Sequence, residues 1–243
     1  MTIEIIPVHI EQEISQGDDL AALINAQSVP LADGDVVVIT QKAVSKAEGQ
    51  VVDLAGVEPS AEALELAGSD TDPRIVEVIL RESQRVVRHR GPLIITETHH
   101  GFICASAGVD RSNAPRPDSV VLLPRQPDAS ARALRERLEE LSGASLAVII
   151  ADTMGRPLRE GIVGTAIGAS GVEPLRDLAG LVDPNGYKLS TTIVAVADEL
   201  ASAADLVLGK VDRVPAAVIR GYALSGDGPA SLLIRERSRD LFA

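Results

Sequence analysis

Apolar residues along this chain follow two rhythms. Unbroken runs at Val36-Val37-Val38-Ile39, Leu146 to Ile150 and Pro215 to Ile219 suit strands buried on both faces of a sheet. Shorter stretches at Ile3 to Val8 and Thr191 to Val196 predict further strands. Leu93 to Thr98 and Phe102 to Ser106 predict a hairpin around His99-His100-Gly101. A helical spacing runs through Leu20, Leu23 and Ile24 after Asp18-Asp19, and through Ala131, Leu134, Leu138 and Leu141. For the second of these helices Asp128 is the predicted cap and Gly143 the stop. Pro59 to Ala67 predicts a modest helix, and Asp72-Pro73 opens another that runs to about Ser83. From Ala197 to Leu208, Leu200, Ala204, Val207 and Leu208 mark a buried face, with Asp198, Ser202 and Asp205 on the polar one. Asp33 to Asp35 and Leu181 to Lys188 are turns by composition, and the segment from Ser231 to Ala243 is an amphipathic tail that docks on the body. The helix before the 146–153 strand gives strand–helix–strand alternation, hence a mixed α/β (α+β) fold with a mixed sheet.

Composition narrows the class. The 243 residues are 45% hydrophobic, enough for a sizeable core in one domain or in two intimately joined ones. Aromatics are only 2%, so packing rests on Val, Ile, Leu and Ala, and stacking platforms for nucleic-acid bases are scarce. A net charge of −12 disfavours nucleic acid as a partner but leaves room for a small anion held locally. The single cysteine, Cys104, permits no internal disulfide, and no long apolar span or leader pattern is present; the chain reads as soluble and cytoplasmic.

Candidate chemistry concentrates where strands are predicted to end. The 146–150 run stops at Asp152 and Thr153, and Gly155 is expected to break the strand. A carboxylate and a hydroxyl at a strand's carboxyl end sit where open α/β sheets bind ligands. Arg156 and Arg159 follow, two forks suited to phosphate or carboxylate, and Gly161 and Gly164 allow close backbone approach. Pattern alone reads this segment equally as a charged surface turn. After the 36–39 strand come Thr40, Gln41, Lys42, Ser45 and Lys46, which read either as phosphate positioners or as an exposed basic loop. Gly209-Lys210 is no Walker A motif, because position 204 is Ala. Arg81, Arg85, Arg88 and Arg90 are a solvated charge run or an anion site. His99 and His100, pointing to opposite faces of a strand, make a poor chelating pair. Asp110 and Asn113 supply oxygen donors in a small loop that could meet Asp152.

Four segments, kept in order and spacing, resemble one family. They are Gly34 to Lys46, Ala107 to Asn113, Ile150 to Gly161 and Val196 to Lys210, and the likeness runs from Ile3 to Phe242. The chain is similar to the γ-glutamyl ligases of coenzyme F420 biosynthesis, either stand-alone or as the amino-terminal part of a bifunctional enzyme. The resemblance implies one γ-glutamyl ligase-like domain over residues 1–243, with two interwoven subdomains around mixed sheets, assembled as an intertwined homodimer. It implies GTP-dependent addition of L-glutamate to the lactyl carboxylate of coenzyme F420-0, then further γ-linked glutamates, by way of an acyl phosphate. Asp110 and Asp152 would be metal ligands, with Thr153 on a second cation; magnesium or manganese would serve, with potassium admitted as a further ion. Glu11, Gln12, Glu13, Ile14, Gln41, Lys46, Asn113, Gly209 and Lys210 would contact GTP. Asp110, Asp152, Arg156 and Arg159 would carry the catalysis. Two other readings use the same residues: a non-catalytic nucleotide- or deazaflavin-binding module, and an amide ligase with a different carboxylate acceptor.

Overall fold

Val36, Val37, Val38 and Ile39 are all fully buried, so this strand is covered on both faces, and the fold is built outward from it. The computed structural model describes residues 2–69 and 71–240. In chain order they form β1 (Glu4–Val8), α1 (Leu20–Asn25), β2 (Val36–Thr40), α2 (Gln41–Ala47), β3 (Val51–Asp53), α3 (Ala61–Ala67), α4 (Pro73–Arg81), β4 (Ser83–Arg90), β5 (Leu93–Thr98) and β6 (Ile103–Ala105). There follow β7 (Ser119–Val121), α5 (Pro127–Ser142), β8 (Ala147–Arg156), β9 (Arg159–Ser170), β10 (Arg176–Asp177), β11 (Ile193–Val194), α6 (Val196–Asp205) and β12 (Ala216–Arg220).

A five-stranded sheet of order β1-β12-β2-β8-β9 is the centre. Only the β2–β8 pair is parallel, aligning Val36 with Ala147 and Thr40 with Ala151; the other pairs are antiparallel. Side chains alternate across it. Val37, Ile39, Val148 and Ile150 join Leu20, Ile24, Val44 and Leu138 on one face. Val36, Val38, Ile149 and Ile219 join Leu200, Ala201 and Ala204 on the other. The chain is thus an α+β fold whose main sheet carries α1, α2 and α5 on one side and α6 on the other.

Residues between β3 and β7 build a second core. Leu54, Val76, Ile79, Ile94 and Val120 pack among α3, α4 and the three-stranded sheet β4-β5-β6. This unit is inserted between α2 and α5, so the loop holding Asp110 reaches the main sheet from outside it.

Several expectations need correction. Residues 41–47 are helix α2, not a loop, and Gln41 and Ser45 are buried in it. Gly155 does not stop the strand; β8 runs on to Arg156 and returns as β9, a twelve-residue strand whose Gly161, Gly164 and Gly168 hid it from periodicity. No element is expected for the arginine run, which lies largely on β4, or for residues 119–121, which form β7. Asp128 is not the cap of α5, which begins at Pro127 after Gln126. The strand expected over 191–196 shrinks to Ile193–Val194 because α6 starts at Val196. Of the expected tail, residues 231–240 contribute two short 3-10 turns, while 241–243, Phe242 among them, lie outside the described residues.

Candidate functional site

Parallel pairing of β2 with β8 brings Thr40 beside Ala151, so β2 ends where β8, which runs on to Arg156, presents its next residue. There β2 turns directly into α2 and β8 presents Asp152. A cavity of about 300 Å³ opens here, closed by the loops at 10–14 and 208–215 and by Asn113. Its walls include Gln12, Glu13, Ile14, Gln41, Lys46, Asn113, Asp152, Thr153, Gly209 and Lys210, ten of the residues singled out from sequence. Lys42, Asp205 and Arg213 also line it. The site spans residues 10 to 215, joined by the sheet.

The loops are tied to one another. Asn113, held at φ +58°, donates from Nδ2 to the Lys210 carbonyl at 3.0 Å. A short-side-chain Asn tolerates that left-handed backbone and bonds locally. Arg213 donates to the Glu11 carbonyl, so Glu11 takes part through its backbone in joining the two loops. Lys46 reaches Glu13 across 2.6 Å, and Gln41 accepts from Ser45 Oγ within its own helix.

The electrostatic centre is a pair of carboxylates. Asp110 is pinned by its backbone, which exchanges two hydrogen bonds with Val121. Its Oδ1 accepts from Ser112 N at 2.7 Å, and its Oδ2 lies 2.6 Å from Lys42 Nζ. Burial raises its carboxyl, but Lys42 and Ser112 outweigh that and hold it below the usual range. Asp152 behaves oppositely. Burial pushes its carboxyl up to about 6, with Asp110's charge adding to the rise; the Thr153 N–H, Lys42 and Lys210 oppose it. The charge of Asp110 thus acts on Asp152 from outside the cavity lining, although the two are far apart in the chain. Cys104 lies in the same field: burial and the Asp152 charge push its thiol up to about 12, leaving it protonated and inert.

Asp152 and Thr153 in the cavity lining and Asp110 behind Lys42 offer hard oxygen donors. Among the described residues no three His, Cys, Asp or Glu side chains form a complete metal cage. A cation such as magnesium commonly takes one or two carboxylates and fills its shell with water and substrate phosphate, so this donor set fits one. Asp152, raised by burial and a neighbouring like charge, is the group such a cation would relieve.

The arginines sit elsewhere. Arg156 and Arg159 face each other across the tip of the β8–β9 hairpin, beyond the cavity lining, and Arg156 donates to the Glu160 carbonyl at 2.9 Å. Asp198 accepts the Ala166 N–H and belongs to packing. The sequence offers Lys42 as a phosphate positioner or part of a basic loop, not as a partner of Asp110, and Asp205 only as a residue of a polar helix face. Lys42 matters through Asp110, a pairing remote in the chain that spacing does not encode, whereas Asp205 feels the charge of nearby Lys210.

A profile of the F420-0:gamma-glutamyl ligase family matches residues 10–221. The chain belongs to that family. Curated relatives agree over almost full length. A coenzyme F420:L-glutamate ligase from Methanopyrus kandleri is 51% identical, covering 99% of this chain and 98% of the relative. Its counterpart from Methanothermobacter thermautotrophicus is 47% identical over 100% and 99%. That of Methanocaldococcus jannaschii is 46% identical over 88% and 86%. For this F420-0:gamma-glutamyl ligase family member the cavity is thus the place to look for chemistry.

Proposed function

We propose that this chain is a coenzyme F420:L-glutamate ligase that consumes GTP, joining L-glutamate to the lactyl carboxylate of coenzyme F420-0 and then extending the tail by γ-linkages. The observation that carries this reading is a cavity lined by Asp152 together with Lys42, Lys46 and Lys210, with Asp110 immediately behind Lys42 and ion-paired to it. That arrangement suits a triphosphate: ammonium groups meet phosphate oxygens, while carboxylates call for a cation between themselves and the nucleotide.

A carboxylate is a poor acyl donor because oxide is a poor leaving group. In the proposed reaction one oxygen of the acceptor carboxylate attacks the γ-phosphorus of GTP, the bond to the β-bridging oxygen breaks, and GDP departs. The glutamate amine then attacks the acyl phosphate carbon, the amide bond forms, inorganic phosphate leaves, and the amine's proton passes to solvent or a nearby carboxylate. Divalent magnesium or manganese, held by Asp110, Asp152 and Thr153, would neutralise phosphate charge and polarise the transferred group. Lys46 and Lys210 would bear the remaining charge, Asn113 would fix the loop over the nucleotide, and Ile10, Ile14, Leu208 and Val214 offer apolar walls for the base. We assign no transition-state contact to Arg156 or Arg159, which stand at the hairpin tip; potassium remains a candidate further ion, and the proposed assembly is a homodimer.

The test is mass spectrometry of F420-0 incubated with the enzyme, GTP, glutamate and manganese or magnesium chloride. Product gaining whole glutamyl residues, with stoichiometric GDP and phosphate, is the expected result. GTP turnover independent of glutamate and acceptor, or no product at any metal concentration, would overturn the assignment.

A further inference from the structure

At the head of this cavity one ammonium is ion-paired to a carboxylate behind the lining and acts on a second carboxylate within it. Lys42 Nζ lies 2.6 Å from Asp110 Oδ2, is hydrogen-bonded to Ser112 Oγ, and is among the charges acting on Asp152. The members of this cluster differ in freedom. Asp110 is fixed through its backbone bridge to Val121 and through the Ser112 N–H on Oδ1. Lys42 projects from the first turn of α2 on a flexible four-carbon stem, held at its tip by side-chain contacts. It also lines the cavity, whereas Asp110 lies behind it.

We infer that Lys42 is an exchangeable counter-ion: its ammonium holds the place of a divalent cation at Asp110 until an incoming nucleotide phosphate draws it away and opens the carboxylate pair to the metal. This rests on the nucleotide and metal reading above and adds to it an order and a coupling. An ammonium and a divalent cation at the same carboxylate oxygen repel, so one must leave, and the pinned aspartate cannot. Phosphate offers the ammonium an equivalent partner within its reach. The exchange keeps Asp110 paired with a cation in both states, ammonium when the site is empty and metal when it is filled. Because coupling is reciprocal, metal must then strengthen nucleotide binding by the same factor as nucleotide strengthens metal. Lys46 makes a useful contrast: its partner Glu13 is 62% exposed, so there the carboxylate itself is free to swing into water.

The experiment titrates the full-length protein with manganese chloride, following free aqueous Mn2+ by electron paramagnetic resonance, with and without a non-hydrolysable GTP analogue. In the absence of nucleotide, Lys42→Gln should bind Mn2+ about tenfold or more tighter than wild type, since one positive charge has left the immediate surroundings. The analogue should tighten Mn2+ binding strongly in wild type and much less in Lys42→Gln. Lys42→Arg, which keeps the charge on Asp110, should remain as weak as wild type without nucleotide. Equal Mn2+ affinities for wild type and Lys42→Gln, or equal nucleotide coupling, would overturn the exchange; so would a tightening in Lys42→Arg that matches the glutamine variant. Should Lys42→Gln fail to fold, Ser112→Ala removes one hold on the ammonium with all charges intact. A smaller gain in Mn2+ affinity is expected there, and no gain overturns the inference. Asp152→Asn separates the two levels of argument: Mn2+ binding that ignores this substitution would remove the metal reading itself, and with it the exchange.

Discussion

Asp152 stands at a strand end where burial and a second carboxylate both oppose its charge. The pH consequence follows from the sign of that shift. Its carboxyl is raised from an ordinary 3.8 to about 6 in the folded protein, so the fold binds its proton more tightly than the unfolded chain. The associated stability is fully present below the unfolded value and is lost as pH rises through about 6. Metal-free wild type therefore carries a burden of about 2–3 kcal/mol at pH 7, taking 1.36 kcal/mol per unit. Asp152→Asn should remove it: urea denaturation in a chelator should show the variant more stable at pH 7–8, with the gap closing towards pH 4. A gap that does not change with pH would mean the carboxyl is not raised. The same substitution should lower ligation by at least about 10²-fold, the scale of losing one preorganised charge contact. Asp152 was visible in the sequence because an apolar run stopped on it. Its coupling to Asp110 and Lys42 was not, since those partners lie 42 and 110 residues away; the β2–β8 pairing brings Lys42 near, and the inserted unit, through the Asp110–Val121 bridge, brings Asp110.

Among the elements, β9 shows how a strand that sequence reading missed governs the fold. It is the edge of the main sheet, and a register shift near Ile150/Ala151 places Ile167 in one core and Ala166 and Ala169 in the other. A bulge of this kind turns successive residues to unexpected faces, which is why neither helical nor alternating periodicity registered. Two N–H groups of β9 are satisfied by aspartates from opposite layers: Ala166 by Asp198 of α6 and Ala169 by Asp128 of α5, at 2.9 and 3.0 Å. Asp128 also accepts from Ala230 at 2.6 Å, fastening the carboxyl-terminal segment to helix and sheet. An acidic residue at a helix start reads as a cap; here the better-placed donors come from distant chain. Asp128→Ala should then cost about 2–3 kcal/mol in urea denaturation, since buried N–H groups are left unpaired. Amide exchange should quicken at both Ala169 and Ala230; protection unchanged at Ala230 would refute the fastening. Glycines do the complementary work. A Cβ on Gly168 would stand 2.4 Å from the Pro127 carbonyl oxygen, so Gly168→Ala should destabilise by about 1–3 kcal/mol through forced separation of α5 from β9.

Across the whole molecule, the β8–β9 hairpin poses a question that the isolated chain does not answer. Its turn consists of Pro157 and Leu158 between the paired Arg156 and Arg159, and Leu158 adopts φ +65°, a conformation that favours glycine or asparagine. The same leucine is 91% exposed, with Ile162 on the hairpin at 51%. A strained and solvated leucine gains nothing in a monomer, where glycine would relieve the backbone at no loss of burial. Leu181, Val182 and Tyr187, each more than half exposed, add apolar surface in the segment after the hairpin. A second copy of the chain covering these residues would repay the strain, in keeping with the homodimer proposed from the family resemblance. Sedimentation should therefore find a dimer, and Leu158→Gly distinguishes the two explanations in one substitution. If the leucine is incidental, the variant should be more stable by about 0.5–1 kcal/mol with assembly unchanged. If it is an interface residue, the dimer should weaken by about tenfold or more although the hairpin itself is relieved, a loss of the order expected for withdrawing one buried leucine. A wild-type monomer at micromolar concentration would end the assembly proposal while leaving the cavity and its lysine–aspartate pairing untouched.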